Sequence, residues 1–151
     1  MKALAALLLL LALLCGCTSL RDTTHAATAL DATTTVIGVS SGLAVEANPL
    51  ISSPAMFAGL MLTRVLATEY VNTLPEPART TYLSGMSSVW LGAGISNVMI
   101  LLLASNPIGL AFGAMTGLGW WASTAERREF AALCAEHMRM NPALVCTYTP
   151  T

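Results

Sequence analysis

The stretch LDATTTVIGVSSGLAVEANPL, residues 30–50, places two carboxylates in a segment of mostly small and apolar residues. Asp31 and Glu46 are fifteen residues apart, so on an α-helix they lie about 60° apart around the axis and about 22 Å apart along it. Small or polar residues lie between them on nearly the same side: Thr35, Gly38 and Gly42. The spacing predicts a helix with a polar, small-residue stripe that faces protein rather than lipid.

The composition of the 151-residue chain indicates a membrane protein. Hydrophobic residues make up 55% of it and charged residues 10%, and the mean hydropathy is +0.68. Soluble domains are about 45–50% apolar and about 25% charged, so the charged side chains of this chain cannot easily cover a water-soluble surface. The seven basic residues are scattered and the net charge is −1, which predicts no nucleic-acid partner.

The N-terminus has the order of a secretory signal, with a positive start at Lys2 and an apolar run over residues 3–14. Leu14-Cys15-Gly16-Cys17 resembles the bacterial lipobox, in which the last cysteine is lipidated and becomes the mature N-terminus. The resemblance implies that residues 1–16 are a lipoprotein signal peptide and that Cys17 carries the lipid, palmitate included. The expected location is the periplasmic side of the bacterial inner membrane, with the outer membrane less favoured. An uncleaved signal anchor is the alternative.

Two cysteines remain if cleavage removes Cys15 and lipid occupies Cys17, namely Cys134 and Cys146. A disulfide between them is natural in an oxidising periplasm and rare in the cytosol. Closing a loop of that size would stabilise the fold by about 3 kcal/mol. The alternative is that both thiols stay reduced.

Proline-containing breaks divide the rest of the chain into helices of about membrane-spanning length. We predict an all-α fold, a helical membrane bundle of about four helices followed by an amphipathic C-terminal helix. A lipid-anchored linker over residues 17–26 precedes the membrane domain, residues 27–123. The predicted helices of that domain cover residues 27–47, 55–73, 86–104 and 108–123. Ser123 and Glu126 have the spacing of a capping box, which predicts that the segment 124–151 opens with a helix outside the membrane.

Small residues recur at four-residue spacing on three of these helices. The glycines are Gly38 and Gly42 on the first, Gly92 between Ser88 and Ser96 on the third, and Gly109, Gly113 and Gly117 on the fourth. Lipid supplies no hydrophobic force between helices, so such stripes let helix backbones approach and pack. They predict a compact bundle, or alternatively a dimer face on the fourth helix.

Arg64 falls near the middle of the second predicted helix, where insertion scales give a cost of about 2.5–3.5 kcal/mol for Arg. Such a residue needs a partner, and the candidates are Asp31, Glu46 and Glu69. Snorkelling of Arg64 to the headgroups is the alternative. The predicted intramembrane polar seam comprises Asp31, Thr35, Glu46, Asn48, Arg64, Glu69 and Asn97.

The pattern Asp31-x-x-x-Thr35 followed by Glu46-x-Asn48-Pro49 resembles the signature of a group of small bacterial integral membrane proteins, a domain-of-unknown-function family. The resemblance extends over residues 30–104. It implies a membrane location and brings no activity with it. The lipobox and the cysteine-bearing tail depart from that family.

The functional prediction is a non-catalytic, lipid-anchored integral membrane protein of the envelope, a structural or assembly subunit. The sequence has no serine with a nearby histidine base, no phosphate loop and no zinc spacing, so we predict that it is not an enzyme and has neither cofactor nor metal. The expected partners are membrane lipid and other membrane proteins or a second copy. A transport or ion-pathway component using Asp31, Glu46, Arg64 and Asn97 is the alternative, and a phage lysis protein is a more distant one.

Two signals for topology conflict. Four spans after an exported N-terminus put the tail outside, which suits a disulfide, but leave Arg79, Arg127 and Arg128 on the side that the positive-inside rule disfavours. Three spans, with the first helix on the surface, obey the rule and put the tail inside. We predict four spans because a helical hairpin shelters Asp31 and Arg64 together.

Overall fold

The computed structural model describes residues 19–42, 53–103 and 106–148. Within these ranges the chain is helical, without a strand, as the sequence predicts. The described part of the chain holds five helices: α1 Leu20–Ser40, α2 Pro54–Asn72, α3 Ala78–Leu103, α4 Asn106–Ser123 and α5 Ala125–Met140.

The helix α1 begins within the segment predicted as a linker. Ser19 is its N-cap, and the Ser19 side chain accepts a hydrogen bond from the backbone N–H of Asp22 at 3.1 Å. Capping by serine and an acidic residue in the first turn both stabilise a helix start. The prediction of a linker over residues 17–26 is therefore wrong from Leu20 onward.

The same helix ends at Ser40, earlier than the predicted end at residue 47. Gly42 has φ +69°, a left-handed conformation that glycine adopts without steric cost, and it follows the C-cap Ser41. Among the described residues, nothing lies within 4 Å of a Cβ built on Gly42. Gly42 is thus a helix-ending glycine, and its predicted role in packing stays a prediction.

The helix α3 begins eight residues before the predicted start at Met86. The Glu76 carboxylate accepts a hydrogen bond from the backbone N–H of Thr80 at 3.1 Å, and the Pro77 carbonyl accepts one from Thr81 at 3.0 Å. These contacts satisfy N–H groups of the first turn, so the helix starts directly after the proline-rich break. The bounds of α2 and α4 lie within two residues of the predicted ones.

The junction of α4 and α5 needs no capping box. The backbone N–H of Thr124 donates to the Trp120 carbonyl at 3.1 Å, and that of Arg128 donates to the Thr124 carbonyl at 3.2 Å. The Ser123 hydroxyl donates to the Trp120 carbonyl at 2.8 Å instead of capping α5. The helical ladder continues across the junction, so the predicted capping role of Ser123 is wrong, although the helix that it announced is present.

The central helix is α3, which packs extensively against α1 on one side and α4 on the other. Contacts between Arg21 and Glu69 and between Asp31 and Arg64 show that α1 and α2 run antiparallel. The helix α4 runs antiparallel to α3 as well. The start of α1, the end of α2, the start of α3 and the end of α4 therefore lie together, and α5 follows there; we call this the charged end.

The interior mixes apolar and polar side chains, with a small apolar cluster of Ala27, Leu30, Leu91 and Val98 beside a larger set of polar groups. Buried positions hold hydroxyls and other polar groups: Thr23, Thr24, Thr28, Asp31, Thr34, Thr68, Ser84, Ser87, Ser88, Ser96 and Thr124. Large apolar side chains face outward on several helices, and Leu110, Leu118 and Val89 are 65–69% exposed. Soluble proteins bury their large aliphatic residues and expose polar ones. Within the described ranges, one helix, α3, is long and apolar enough to cross a membrane, with 26 residues and a mean hydropathy of 1.7.

Candidate functional site

The interior holds an ion pair between the middle helical turns of α1 and α2. Arg64 Nη1 donates a hydrogen bond to Asp31 Oδ2. The Asp31 side chain is 8% exposed and that of Arg64 is 20% exposed. The Arg64 guanidinium also lies 5.5 Å from the ring centroid of Trp90 on α3, within range of a cation–π interaction. Of the three predicted partners of Arg64, the structure brings Asp31 to it.

A third helix completes this pair through Asn97. Its side-chain amide donates to Asp31 Oδ1 at 2.9 Å and to the Thr35 hydroxyl at 3.0 Å. Both carboxylate oxygens of Asp31 are therefore engaged, each by a different helix. A buried charge is tolerated when its hydrogen-bonding capacity is filled in this way. We call the four residues Asp31, Thr35, Arg64 and Asn97 the seam, because they join α1, α2 and α3 at one level.

Glu69 lies outside the seam, at the charged end. Arg21 Nε donates to its two carboxylate oxygens at 3.0 and 3.1 Å, and His25 Nε2 lies 2.6 Å from Oε1. The hydrogen bond from Arg21, and after it the one from His25, holds the pKa of Glu69 below its ordinary value, while the same carboxylate raises the pKa of Arg21. Prediction of this cluster failed because the segment holding Arg21 and His25 was assigned to a linker.

Three predicted residues lie outside the described ranges: the lipidation site Cys17, and Glu46 and Asn48 of the predicted seam.

The predicted glycine stripes meet between α3 and α4. A Cβ built on Gly113 would lie 2.5 Å from the Gly92 carbonyl oxygen, and one built on Gly92 would lie 2.8 Å from the Gly113 carbonyl oxygen. Gly117 faces the Ser88 carbonyl and Gly109 the Ser96 carbonyl in the same manner, each at 2.8 Å. The stripe of α4 is therefore occupied by contacts within the chain. Gly38 is buried on α1.

The tail folds back onto α5 through the predicted disulfide, and the structure confirms the bridge between Cys134 and Cys146. Tyr148 follows the bridge, with its ring 5.5 Å from that of Phe130 and 5.1 Å from the Arg127 guanidinium. The folded tail closes one side of a cleft of about 440 Å³, whose other walls come from the starts of α1 and α3, from the end of α2 and from α5. Arg21, Arg79 and Arg127 line this cleft.

Aromatic side chains with a polar atom accompany the charges. Tyr70 lies near the end of α2, Tyr82 near the start of α3, and Trp120 and Trp121 near the end of α4. All four therefore lie toward the charged end, as does Tyr148. The Trp120 indole N–H donates to the Ser87 hydroxyl at 2.8 Å.

Among the described residues, every Asp, Glu, Lys or Arg other than Asp31 and Arg64 belongs to the charged end or to α5. The sequence contains this asymmetry, but it emerges only once the helices are known to alternate in direction.

The chain matches no family model, and no curated protein or solved structure shows significant similarity to it. The resemblance of the Asp-x-x-x-Thr and Glu-x-Asn-Pro signature to a family of small membrane proteins therefore stays a prediction.

Proposed function

We propose that the chain is a non-catalytic integral membrane protein of the bacterial envelope that serves as a structural or assembly subunit. The observation that carries the proposal is the large number of exposed aliphatic side chains, which surround an interior rich in hydroxyls that also holds the seam. In water this surface would be an aggregation hazard, whereas in a bilayer it matches the solvent.

The charged end supports the same proposal. Tyr and Trp favour the membrane interface, where the ring is apolar and its polar atom meets water. Tyr82 and Leu103 are twenty-one residues apart on α3, which corresponds to about 32 Å along a helix and compares with about 30 Å for a hydrocarbon core. On the side of Tyr82 and the other interfacial aromatic residues that is away from the charged end, the described residues include no charged side chain apart from the paired Asp31 and Arg64.

A lipid on Cys17 fits this arrangement. Cys17 is two residues before the N-cap Ser19, so the acyl chains would enter the bilayer beside the charged end. That end would then face the periplasm of the inner membrane, where the disulfide is stable.

Extraction of membranes with alkaline carbonate tests the location. We expect the protein to stay in the membrane pellet. We expect the Cys17→Ser variant to stay there as well, held by the helices together with the uncleaved apolar run over residues 3–14. A soluble periplasmic protein in the same sample is the control. Release of Cys17→Ser into the supernatant would show that the lipid alone anchors the chain and would refute the bundle's membrane insertion.

Site-specific photocrosslinking tests the role as a subunit. A photoreactive amino acid replaces Leu118, which is 69% exposed, and as a matched control it replaces Leu30, which is 1% exposed. We expect discrete protein adducts from position 118 and none from position 30. Adducts with lipid alone at position 118 and at Val89 would contradict the subunit role.

Asp31 favours a second candidate, a transport or ion-pathway component, because an ionisable group inside a membrane bundle is a functional site by default. Ion flux into liposomes that contain the purified protein decides between the two. Flux that Asp31→Asn abolishes, without loss of the folded protein, would favour the pathway.

A further inference from the structure

We propose that the cleft at the charged end binds the anionic phosphate headgroup of a membrane phospholipid. This inference rests on the proposed membrane location, since it places the cleft at the level of the headgroups. The cleft takes its walls from α1, α3 and α5, from the end of α2 at Asn72, and from the tail that the disulfide holds.

Charge is the first argument. The lining includes three arginines, Arg21, Arg79 and Arg127, and one carboxylate, that of Glu76. Arg79 is paired with Glu76 at 2.6 Å, and Arg21 is paired with Glu69. An excess of arginine in a concave site favours an anion, and the planar guanidinium matches two phosphate oxygens at once.

Arg127 is the arginine available for such a contact. It is half-buried, and among the described residues no carboxylate lies within ion-pair distance of it. Its guanidinium stacks on the Tyr148 ring, which orients the group without neutralising its charge. A charge-assisted hydrogen bond to phosphate would complete it.

The position and the size of the cleft also suit a phospholipid headgroup. Leu83 in the cleft lies one helical turn before Ser87, the hydrogen-bond partner of Trp120. Interfacial Trp and Tyr lie at the headgroup level, so the cleft opens at the depth of the phosphates. Its volume of about 440 Å³ falls within the range of small-ligand sites. Basic pockets between membrane helices on the cytoplasmic side bind anionic headgroups, and the same arginine–phosphate chemistry would operate in a cleft on the periplasmic side.

Apolar side chains favour a lipid over free phosphate. Leu20, Leu83, Phe130 and Ala131 line the cleft beside the arginines. Leu20, Leu83 and Ala131 are already buried, whereas Phe130 is half-exposed. A diacylglycerol backbone would cover Phe130, whereas inorganic phosphate would leave it in contact with water.

Binding measurements on the purified full-length protein in a neutral detergent test the proposal. Native mass spectrometry compares retention of phosphatidylglycerol, phosphatidylcholine and inorganic phosphate. We expect retention of phosphatidylglycerol to exceed that of phosphatidylcholine, and Arg127→Gln to weaken the binding of phosphatidylglycerol about tenfold, as the loss of one charge-assisted hydrogen bond predicts. Arg139→Gln is the matched control, because Arg139 lies on the same helix, pairs with Glu136 and is 74% exposed outside the cleft.

A second measurement needs no variant and covers the case in which Arg127→Gln fails to fold. Raising the salt concentration screens exposed charges, so phosphatidylglycerol should dissociate from the wild-type protein as salt rises. Equal retention of the two lipids, unchanged binding by a folded Arg127→Gln, or binding that salt leaves unchanged would overturn the proposal. Phosphate bound as tightly as phosphatidylglycerol would overturn the assignment to lipid.

These outcomes separate the two proposals. A protein that resists carbonate extraction but shows no preference for phosphatidylglycerol refutes the headgroup site alone. A Cys17→Ser protein that carbonate releases refutes the membrane proposal, whatever the cleft binds.

Discussion

Asp31 has both carboxylate oxygens engaged, one by Arg64 and the other by Asn97. Transfer of a carboxylate out of water costs several kcal/mol, and a partner offsets this only while the geometry is kept. Asp31 and Arg64 therefore depend on each other. Asn97 also orients the helices, because its side-chain amide donates a hydrogen bond to Thr35 as well and so fixes how α3 is rotated against α1.

Removal of Arg64 alone should be costly. Arg64→Leu leaves Asp31 buried without its cationic partner, and we expect a loss of about 3–5 kcal/mol in the free energy of unfolding. Adding Asp31→Asn should recover part of that loss, because the remaining groups are then neutral. The measurement is the melting temperature in detergent.

Arg139→Leu is the control for this pair, since Arg139 is exposed and its i,i+3 partner Glu136 lies in water; such pairs contribute at most about 1 kcal/mol. An unchanged melting temperature for Arg64→Leu would mean that the pair does not stabilise the bundle.

The sequence predicted most of the seam because a charge inside an apolar helix needs a partner at similar depth. Asp31, Thr35, Arg64 and Asn97 were all candidates, and the antiparallel α1 and α2 select Asp31 over Glu69. The sequence alone does not decide between Asp31 and Glu69 as the partner of Arg64. That choice depends on where α1 starts, and the start depends on whether Ser19 caps the helix. Once Arg21 is helical, Glu69 has a partner of its own.

At the level of helices, the contact between α3 and α4 is made by backbone against backbone. Gly92 and Gly113 each approach the carbonyl of the other, which leaves no room for a methyl group. Such closeness increases dispersion contacts, which hold membrane helices together where the hydrophobic effect does not.

Gly113→Ala should separate these two helices. The new Cβ would lie 2.5 Å from the Gly92 carbonyl oxygen, a backbone atom that cannot rotate away. We expect overpacking to cost about 1–3 kcal/mol, seen as a lower melting temperature in detergent.

Gly119→Ala is the matched control on the same helix. A Cβ there meets nothing within 4 Å, and replacing an exposed helical glycine by alanine is worth about 0.5–1 kcal/mol in favour of the helix. A destabilised Gly119→Ala equal to Gly113→Ala would show that the loss comes from α4 itself rather than from its contact with α3.

Helix boundaries were predicted well where proline sets them and poorly where a side chain does. Pro54 begins α2 as expected. The starts of α1 and α3 depend on backbone hydrogen bonds that the side chains of Ser19 and Glu76 accept, and the end of α1 depends on the left-handed Gly42. These local hydrogen bonds and the glycine conformation set the helix boundaries, and the hydropathy pattern alone does not predict them.

For the whole molecule, the alternating directions of α1 to α4 bring the start of α1 and the whole of α5 to the same end. Among the described helices, α3 is the one long and apolar enough to cross a membrane, so the four crossings stay a prediction. The positive-inside rule still opposes an exterior tail, since Arg79, Arg127 and Arg128 lie at this end. The disulfide favours the exterior.

Thiol labelling in spheroplasts resolves this conflict. We expect a membrane-impermeant maleimide to label Cys134 and Cys146 after reduction and to leave them unlabelled before it, because they are bridged. Permeabilised cells serve as the control for reactivity. Labelling that requires permeabilisation would place the tail in the cytoplasm.

Mass spectrometry of the mature N-terminus tests the anchor. We expect a chain that begins at Cys17 with a diacylglycerol on its sulfur, and Cys17→Ser should abolish both the lipid and the cleavage. An intact Met1, or an unmodified Cys17, would contradict the lipobox prediction.

The buried hydroxyls bear on the order in which the chain is assembled during biogenesis. Those of Thr24, Thr28, Thr68 and Ser88 donate to carbonyls of their own helices, so these groups need no neighbour when a helix leaves the insertion machinery. Asp31 and Arg64 are different, because each stays unsatisfied until the other arrives. In the proposed membrane location, α1 and α2 would therefore gain by entering the bilayer together as a hairpin, and α3 could follow later and fix their arrangement through Asn97.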